Sequence, residues 1–298
     1  MRGFRWPPHP DGGPRTWGPS PSGPRTGRPT LPQPPTEMIE TGSGVRLEQL
    51  ITGVGSPVTV FAHGLAGDIT GTRPLGSAVA GRRVFFHFRG HGRSGAPPGP
   101  WTFGDLAGDL RAVADRAGAT RAVGVSMGAG ALCRLLAETP GRFERIVLYL
   151  PAPLDGVRPP AAVTRLHNLL AALESGEAAA MAEAVEAEMP PSVRNTPAGW
   201  AYLRQRVEQL LEHGIAPTLD TLWQEPALPS PESLRAVTAE VLVIGCVGDE
   251  VHPVSVAERL AGAFPQAELH VYDRPAVLWT NRRELRDRIS TFLNAANP

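Results

Sequence analysis

The stretch Gly124-Val125-Ser126-Met127-Gly128 constrains this chain more than any other. It follows a short apolar run, Arg121 to Val125, that reads as a strand, and it opens a helical run, Ala129 to Glu138. A G-x-S-x-G set between strand and helix describes a nucleophile elbow, a turn so sharp that the serine between the glycines takes a strained backbone conformation. Gly124 and Gly128 leave room for the close packing such a turn imposes. The spacing therefore predicts the Ser126 hydroxyl standing clear at the carboxyl end of a parallel strand.

The surrounding pattern agrees. Val45–Ile51 and Val58–Ala62 are β-rich runs separated by Gly53, Gly55 and Pro57, which reads as a hairpin-like entry. Arg83–Phe88 is another strand, and Thr102 caps a helix with Phe103, Leu106, Leu110 and Val113 on one face. A strand at Arg145–Leu150 follows the Ser126 unit. After an interruption the alternation resumes with strand Val241–Gly245, helix Val254–Ala263, strand Leu269–Tyr272 and helix Arg282–Leu293. Strand–helix alternation of this kind implies a mostly parallel sheet with helices on both faces.

The interruption, residues 151–238, is rich in alanine, leucine and glutamate. Val163, Leu166, Leu169, Leu170 and Leu173 form one helical stripe, and Met181, Val185 and Met189 a second. Trp200, Leu203, Val207, Leu210 and Leu211 form a third, stopped at Gly214. A helical insert here is expected to lie over the carboxyl ends of the sheet as a lid. The core is thus expected in two parts, 38–150 and 239–298. Residues 1–37 are set apart from it: 11 of the 32 prolines precede Thr36, interleaved with glycine, serine and arginine. Such a segment cannot bury enough apolar surface to offset its ordering entropy, so disorder is expected there.

Composition narrows the function classes. The formal net charge is zero, which gives no reason to expect nucleic acid or an anionic membrane as partner. No apolar run approaches the ~20 residues needed to span a bilayer. The two cysteines, Cys133 and Cys246, lie in apolar runs and read as buried thiols in a reducing compartment, with the cytoplasm the default location. No lysine occurs, which removes Schiff-base chemistry. A small-molecule substrate is expected, with no cofactor and no metal; nothing bears on the oligomeric state.

Over about residues 40–295 the chain resembles the α/β-hydrolase superfamily. Phe61-Ala62-His63-Gly64-Leu65 is similar to that family's strand-end His-Gly segment, which implies an oxyanion hole formed by the backbone amides of Leu65 and Met127. Arg89-Gly90-His91-Gly92-Arg93-Ser94 resembles the family's R-G-H-G-x-S turn, which implies a scaffolding role for His91. His87 departs from the aspartate frequent at that place. Gly248, Asp249 and Pro253 keep the spacing of the segment that supplies the acid of the catalytic triad, which implies Asp249. The resemblance implies an α/β-hydrolase fold with a helical lid and a Ser126 nucleophile.

The triad histidine does not follow the family pattern. It belongs in the loop after the last strand, and Asp273 to Asn281 holds none. His270 sits on the strand itself, and His167 and His213 on insert helices with solvent as their expected surroundings. His252, three residues beyond Asp249, is the one base that can be nominated, with an exposed loop residue as the competing reading. A serine hydroxyl needs a base to become a useful nucleophile at neutral pH. The leading expectation is a serine-dependent hydrolase of esterase or thioesterase type acting on a small apolar acyl substrate. The alternatives are a non-hydrolytic lyase or cyclase of the same fold, and a binding protein that has lost the chemistry.

Overall fold

The computed structural model of the chain describes residues 35–154, 158–213, 222, 226–228 and 230–296. Eight strands form one sheet in the order β1-β2-β4-β3-β5-β6-β7-β8. They are β1 (Glu37–Glu40), β2 (Arg46–Thr52), β3 (Val58–Ala62), β4 (Arg82–Phe86), β5 (Arg121–Val125), β6 (Arg145–Tyr149), β7 (Glu240–Cys246) and β8 (Ala267–Tyr272). β1–β2 and β2–β4 pair antiparallel, and every pairing from β4 to β8 is parallel.

The hairpin expected between residues 45 and 62 does not form. β2 pairs with β1 on one side and β4 on the other, and β3 lies beyond β4. The reason lies in β3, Val-Thr-Val-Phe-Ala, buried at all five positions. A strand apolar on both faces needs helices on both faces, a condition met in the parallel centre of the sheet and not at its antiparallel edge. The antiparallel entry is instead β1–β2, with Glu37 opposite Gln49. The core therefore begins at Glu37, inside the expected tail; residues 1–34 of that tail lie outside the described residues. Thr36 Oγ1 already donates to Glu48 Oε1 at 2.7 Å.

The helices follow their sequence signals. α1 (Ile69–Thr72) is capped by Asp68, and α2 (Phe103–Ala117) begins with a capping box between Thr102 and Asp105 and ends at Gly118 with φ 64°. α3 (Met127–Glu138) runs straight out of the Ser126 turn and packs on α2. Its Leu132, Leu135 and Leu136 are fully buried with Leu106 and Leu110 of α2 in one apolar layer. The opposite layer is sealed by Leu285, Ile289 and Leu293 of the last helix, Arg282–Asn294. Cys133 and Cys246 are free and buried, and burial holds both thiols above their ordinary range.

Between β6 and β7 the chain builds a helical insertion: α4 (Pro160–Ser175), α5 (Ala178–Glu188), α6 (Pro191–Arg194) and α7 (Pro197–His213). α5 packs against both α4 and α7. The predicted stripes supply its interior through Leu166, Leu169, Met181, Val185, Met189, Leu203, Val207 and Leu210, whereas Leu211 is exposed. The insertion meets the loops at the carboxyl ends of the strands. Arg206 of α7 lies 3.6 Å from Asp68 after β3, Arg165 of α4 lies 4.0 Å from Glu250 after β7, and Tyr202 of α7 rests edge-on against Trp279 after β8. Helices α8 (Val254–Ala263), α9 (Val277–Thr280) and α10 (Arg282–Asn294) complete the chain.

Candidate active site

The site grows from the middle of the sheet. β3 and β6 flank β5, with Ala62 opposite Gly124 and Tyr149 opposite Val125, so the turn after β5 emerges between two strand ends. Ser126 occupies that turn with φ 49° and ψ −109°, a conformation costing on the order of 1–3 kcal/mol in a non-glycine residue. Its amide donates to Tyr149 O at 3.1 Å and its carbonyl accepts from Gly130 N at 3.1 Å, which tie the turn to β6 and to α3. A Cβ on Gly128 would lie 2.4 Å from Ala62 O, and one on Gly124 would lie 2.7 Å from Ala129 Cα. Both glycines are thus required by close approach of backbone.

The loop after β3 faces this turn. A Cβ on Gly64 would come within 3.3 Å of Ser126 Cβ, so the backbone leading to Leu65 runs beside the serine. Met127, the first residue of α3, carries one of the N–H groups that a helix start leaves without an internal partner. Leu65 and Met127 therefore sit on two segments that converge at Ser126.

Three buried imidazoles hold the β3 loop. His63 Nδ1–H donates to Gly64 O at 2.7 Å, and its Nε2 accepts from Phe88 N at 3.1 Å. His91 Nδ1–H donates to Arg89 O at 3.0 Å, and its Nε2 accepts from Ala66 N at 3.2 Å. His87 Nδ1–H donates to Glu48 Oε2 at 2.9 Å, and its Nε2 accepts from Ile69 N at 3.0 Å. An imidazole accepting at Nε2 and donating at Nδ1 is neutral. Burial first, and then the neighbouring imidazoles, hold His63 well below its ordinary value; burial pushes His91 down to about 4, against the opposing bond to Arg89 O. The departure at His87 thus has a local account, since its ring joins Glu48 of β2 to the amide of Ile69. Glu48 also accepts from Arg93, and Arg89 grips the fully buried Asp109 through Nε and Nη2 at 2.9 and 2.7 Å. The R-G-H-G-x-S turn is a packed structural corner.

Beyond β7 the chain turns at Asp249. Oδ1 accepts from the amides of Val251 and His252, both at 2.9 Å, and Oδ2 lies 3.2 Å from His252 Nδ1. Burial drives the Asp249 carboxyl upward, but the bonds and charge of His252 and the amide of Val251 outweigh it, so the group lies below the usual carboxylate range. The other ring nitrogen, His252 Nε2, is 2.9 Å from Ser126 Oγ. Serine, imidazole and carboxylate stand in line, with acid and base on one short loop. The competing reading of His252 as an exposed loop residue does not describe this position: its side chain is 16% exposed and bonded at both nitrogens.

The loop after β8 is built differently. Pro275 packs beside Gly248, Arg274 O accepts from Cys246 Sγ–H at 2.9 Å, and Ala276 adopts φ 67° before α9. His270 lies on β8 with its ring against Tyr272, and His167 is exposed on α4. The surroundings of the His213 side chain fall outside the described residues. Two groups of the insertion that meet the loops around the site carried no motif in the sequence: Tyr202 against Trp279, and Arg206 facing Asp68.

The Alpha/beta hydrolase family model matches residues 59–283, the greater part of the chain. The chain belongs to the alpha/beta hydrolase family, which is a family of hydrolase-type enzymes. Among characterised proteins it is similar to homoserine O-acetyltransferase of Deinococcus radiodurans, 27% identical over 223 residues, or 66% of this chain and 65% of that enzyme. The match thus spans just under two thirds of the relative's length. Among solved structures, the enol-lactonase from Burkholderia xenovorans LB400 superposes with a TM-score of 0.73 at 22% identity, covering 87% of this chain and all of that one. An esterase from Thermogutta terrifontis superposes with a TM-score of 0.71 at 23% identity, covering 89% of this chain and all of the esterase. At such identities the likeness is one of fold. Among the described residues no helix is long and apolar enough to cross a membrane.

Proposed function

We propose that this protein is a serine-dependent hydrolase of esterase or thioesterase type acting on a small apolar acyl substrate. The observation that carries the reading is the 2.9 Å approach of His252 Nε2 to Ser126 Oγ, with Asp249 Oδ2 at 3.2 Å behind the ring. In this reading Asp249 holds the proton on Nδ1, so Nε2 presents a lone pair to the hydroxyl. As Oγ bonds to the substrate's carbonyl carbon, its proton passes to Nε2 and the carbonyl electrons move onto oxygen. The amides of Leu65 and Met127 receive that oxyanion, with one such donor worth about 10²–10³ in turnover. Collapse expels the alcohol or thiol, which takes the proton from His252. Water then repeats the sequence on the acyl-enzyme. The insertion serves as a lid over the pocket, and the imidazolium is stabilised by the Asp249 charge.

The lyase and binding alternatives arose from the loop after β8, where no base could be found. The approach of His252, on the loop after β7, to Ser126 supports the hydrolase reading over both. A second reading, transfer of the acyl group to an alcohol in place of water, draws on the 27% likeness to an O-acetyltransferase. The test is labelling with a fluorophosphonate followed by assays on short acyl esters, with and without an added alcohol acceptor. Stoichiometric labelling that Ser126→Ala abolishes, with ester turnover well above background, is expected. An unlabelled, folded protein that turns over no ester overturns the reading. A new ester formed from the added alcohol selects transfer.

A further inference from the structure

In the proposed mechanism the N–H of Leu65 receives the oxyanion, and that N–H belongs to the peptide unit that carries Gly64 O. The unit is trans, so its N–H points opposite to its carbonyl. Gly64 O is held by two donors, Gly67 N–H at 2.9 Å and His63 Nδ1–H at 2.7 Å. The second is shorter than the about 2.9–3.0 Å usual for such a bond. The ring cannot exchange these roles, because its Nε2 accepts from Phe88 N at 3.1 Å and the proton is thereby kept on Nδ1. The direction of the Leu65 N–H is therefore tied to where the His63 ring stands.

The next peptide unit is tied in the same manner. Its N–H, that of Ala66, donates to His91 Nε2 at 3.2 Å, and His91 Nδ1–H donates to Arg89 O at 3.0 Å. Leu65 thus lies between two peptide planes, each bonded to a buried imidazole, with the two rings 4.7 Å apart. Ala66 has φ 53°, a left-handed conformation that a residue with a side chain keeps only where its surroundings enforce it. A Cβ on Gly67 would lie 2.7 Å from Gly64 O and 3.1 Å from His63 Nδ1, so the turn is closed tightly around that carbonyl. On its other side Gly64 borders Ser126, 3.3 Å from its own virtual Cβ to the serine Cβ. A bond donated to a carbonyl polarises the amide and strengthens its N–H as a donor.

We propose that His63 is a positioning residue of the reaction, which through Gly64 O aims and polarises the Leu65 N–H, while His91 fixes the peptide on the other side of Leu65. The proposal rests on the serine-hydrolase reading and adds to it what sets the direction of one oxyanion donor. His63 acts on substrate only through Leu65.

The experiment compares His63→Leu, which removes the Nδ1–H, with His63→Asn, whose amide N–H stands at the same distance from the backbone. Both are assayed on a short acyl ester, with rates expressed per serine counted by fluorophosphonate labelling, so that misfolded protein does not enter. In His63→Leu kcat is expected to fall about tenfold to a hundredfold with KM within about threefold, a part of what one oxyanion donor contributes. His63→Asn is expected to recover most of that loss. An unchanged kcat per labelled serine in His63→Leu, a loss in KM alone, or an equal loss in both variants overturns the proposal and leaves the hydrolase reading standing. If neither variant folds, NMR of the parent decides. On fluorophosphonate labelling, which places a phosphoryl oxygen where the oxyanion would be, the His63 Nδ1–H resonance is expected to move downfield. That of His87, which donates to Glu48, is expected to stay in place. A His63 resonance that does not move overturns the proposal. A parent that takes no label and turns over no ester overturns the hydrolase reading, and this proposal with it.

Discussion

The imidazoles of this protein are placed in two contrasting ways. His63, His87 and His91 sit beneath the loop after β3, their rings 4.7–5.7 Å apart around His63. Each accepts a backbone amide at Nε2 and donates from Nδ1 to a carbonyl or carboxylate. Both nitrogens are spent on permanent structure. His252 has the same Nδ1 arrangement with Asp249, but its Nε2 faces the Ser126 hydroxyl. The difference teaches that what an imidazole can do depends on the partner of its second nitrogen. A backbone amide there cannot be displaced without breaking the loop, whereas a hydroxyl can react and return.

The largest effect expected from this contrast is on rate. His252→Ala should lower turnover of any accepted ester by several powers of ten, on the order of 10⁴–10⁶, with little change in the melting temperature. Ser126→Ala should cost about as much, and the double variant little more, because members of one catalytic unit are not additive. A loss of less than about tenfold in His252→Ala would remove it from the machinery and erase the contrast.

Gly128→Val tests the shared foundation of both sets, since Ala62 O and His63 O lie where the added side chain must go, 2.4 and 2.7 Å from its Cβ. Neither contact is with a flexible group. A destabilisation of more than about 3 kcal/mol, or no folded protein, is expected, read by chemical denaturation. A variant that unfolds at the parent midpoint would mean that the turn does not pack against β3.

The scaffold set should show itself in the pH dependence of stability. His91 titrates near 4 in the folded chain and near 6.5 when unfolded, and His63 is lowered as well. The unfolded chain therefore binds more protons across this window. The stabilisation is complete above about pH 6.5 and is lost as pH falls towards 4, by roughly 3 kcal/mol for His91 at about 1.36 kcal/mol per unit. Denaturation midpoints measured between pH 7 and 4 should fall accordingly, and His91→Gln should flatten the slope. A slope unchanged in that variant would show that its ring is not buried neutral.

The smallest effect is expected at the amino terminus. Removing residues 1–34 should leave the thermal midpoint within about 2 °C, since the core begins with Thr36 and Glu37 and their bonds to Glu48 and Gln49. Cutting beyond Glu37 should lower it, because β1 loses its first pair and Glu48, which also holds His87, loses the Thr36 bond.

Much of this protein is written locally. The alternation of strand and helix, the capping box at Thr102 and Asp105, and the crowded glycines around Ser126 depend on residues close in sequence, and their positions in the fold follow the pattern closely. So do Ser126 and Asp249, each placed at a strand end by a motif a few residues long. The misplaced hairpin shows where local reading stops. Gly53, Gly55 and Pro57 mark a turn, but which strand becomes the neighbour depends on burial of β3 from both faces, and that is a property of the whole sheet.

The sequence by itself determined the family, the central elbow and the set of histidines from which a base could come. Only the tertiary structure shows which of them stands beside Ser126. His252 and Ser126 are 126 residues apart, and a 2.9 Å contact between them depends on the course of the loop after β7 relative to the end of β5. No periodicity or spacing encodes that separation, because it sums the geometry of two strands, a sheet twist and a turn.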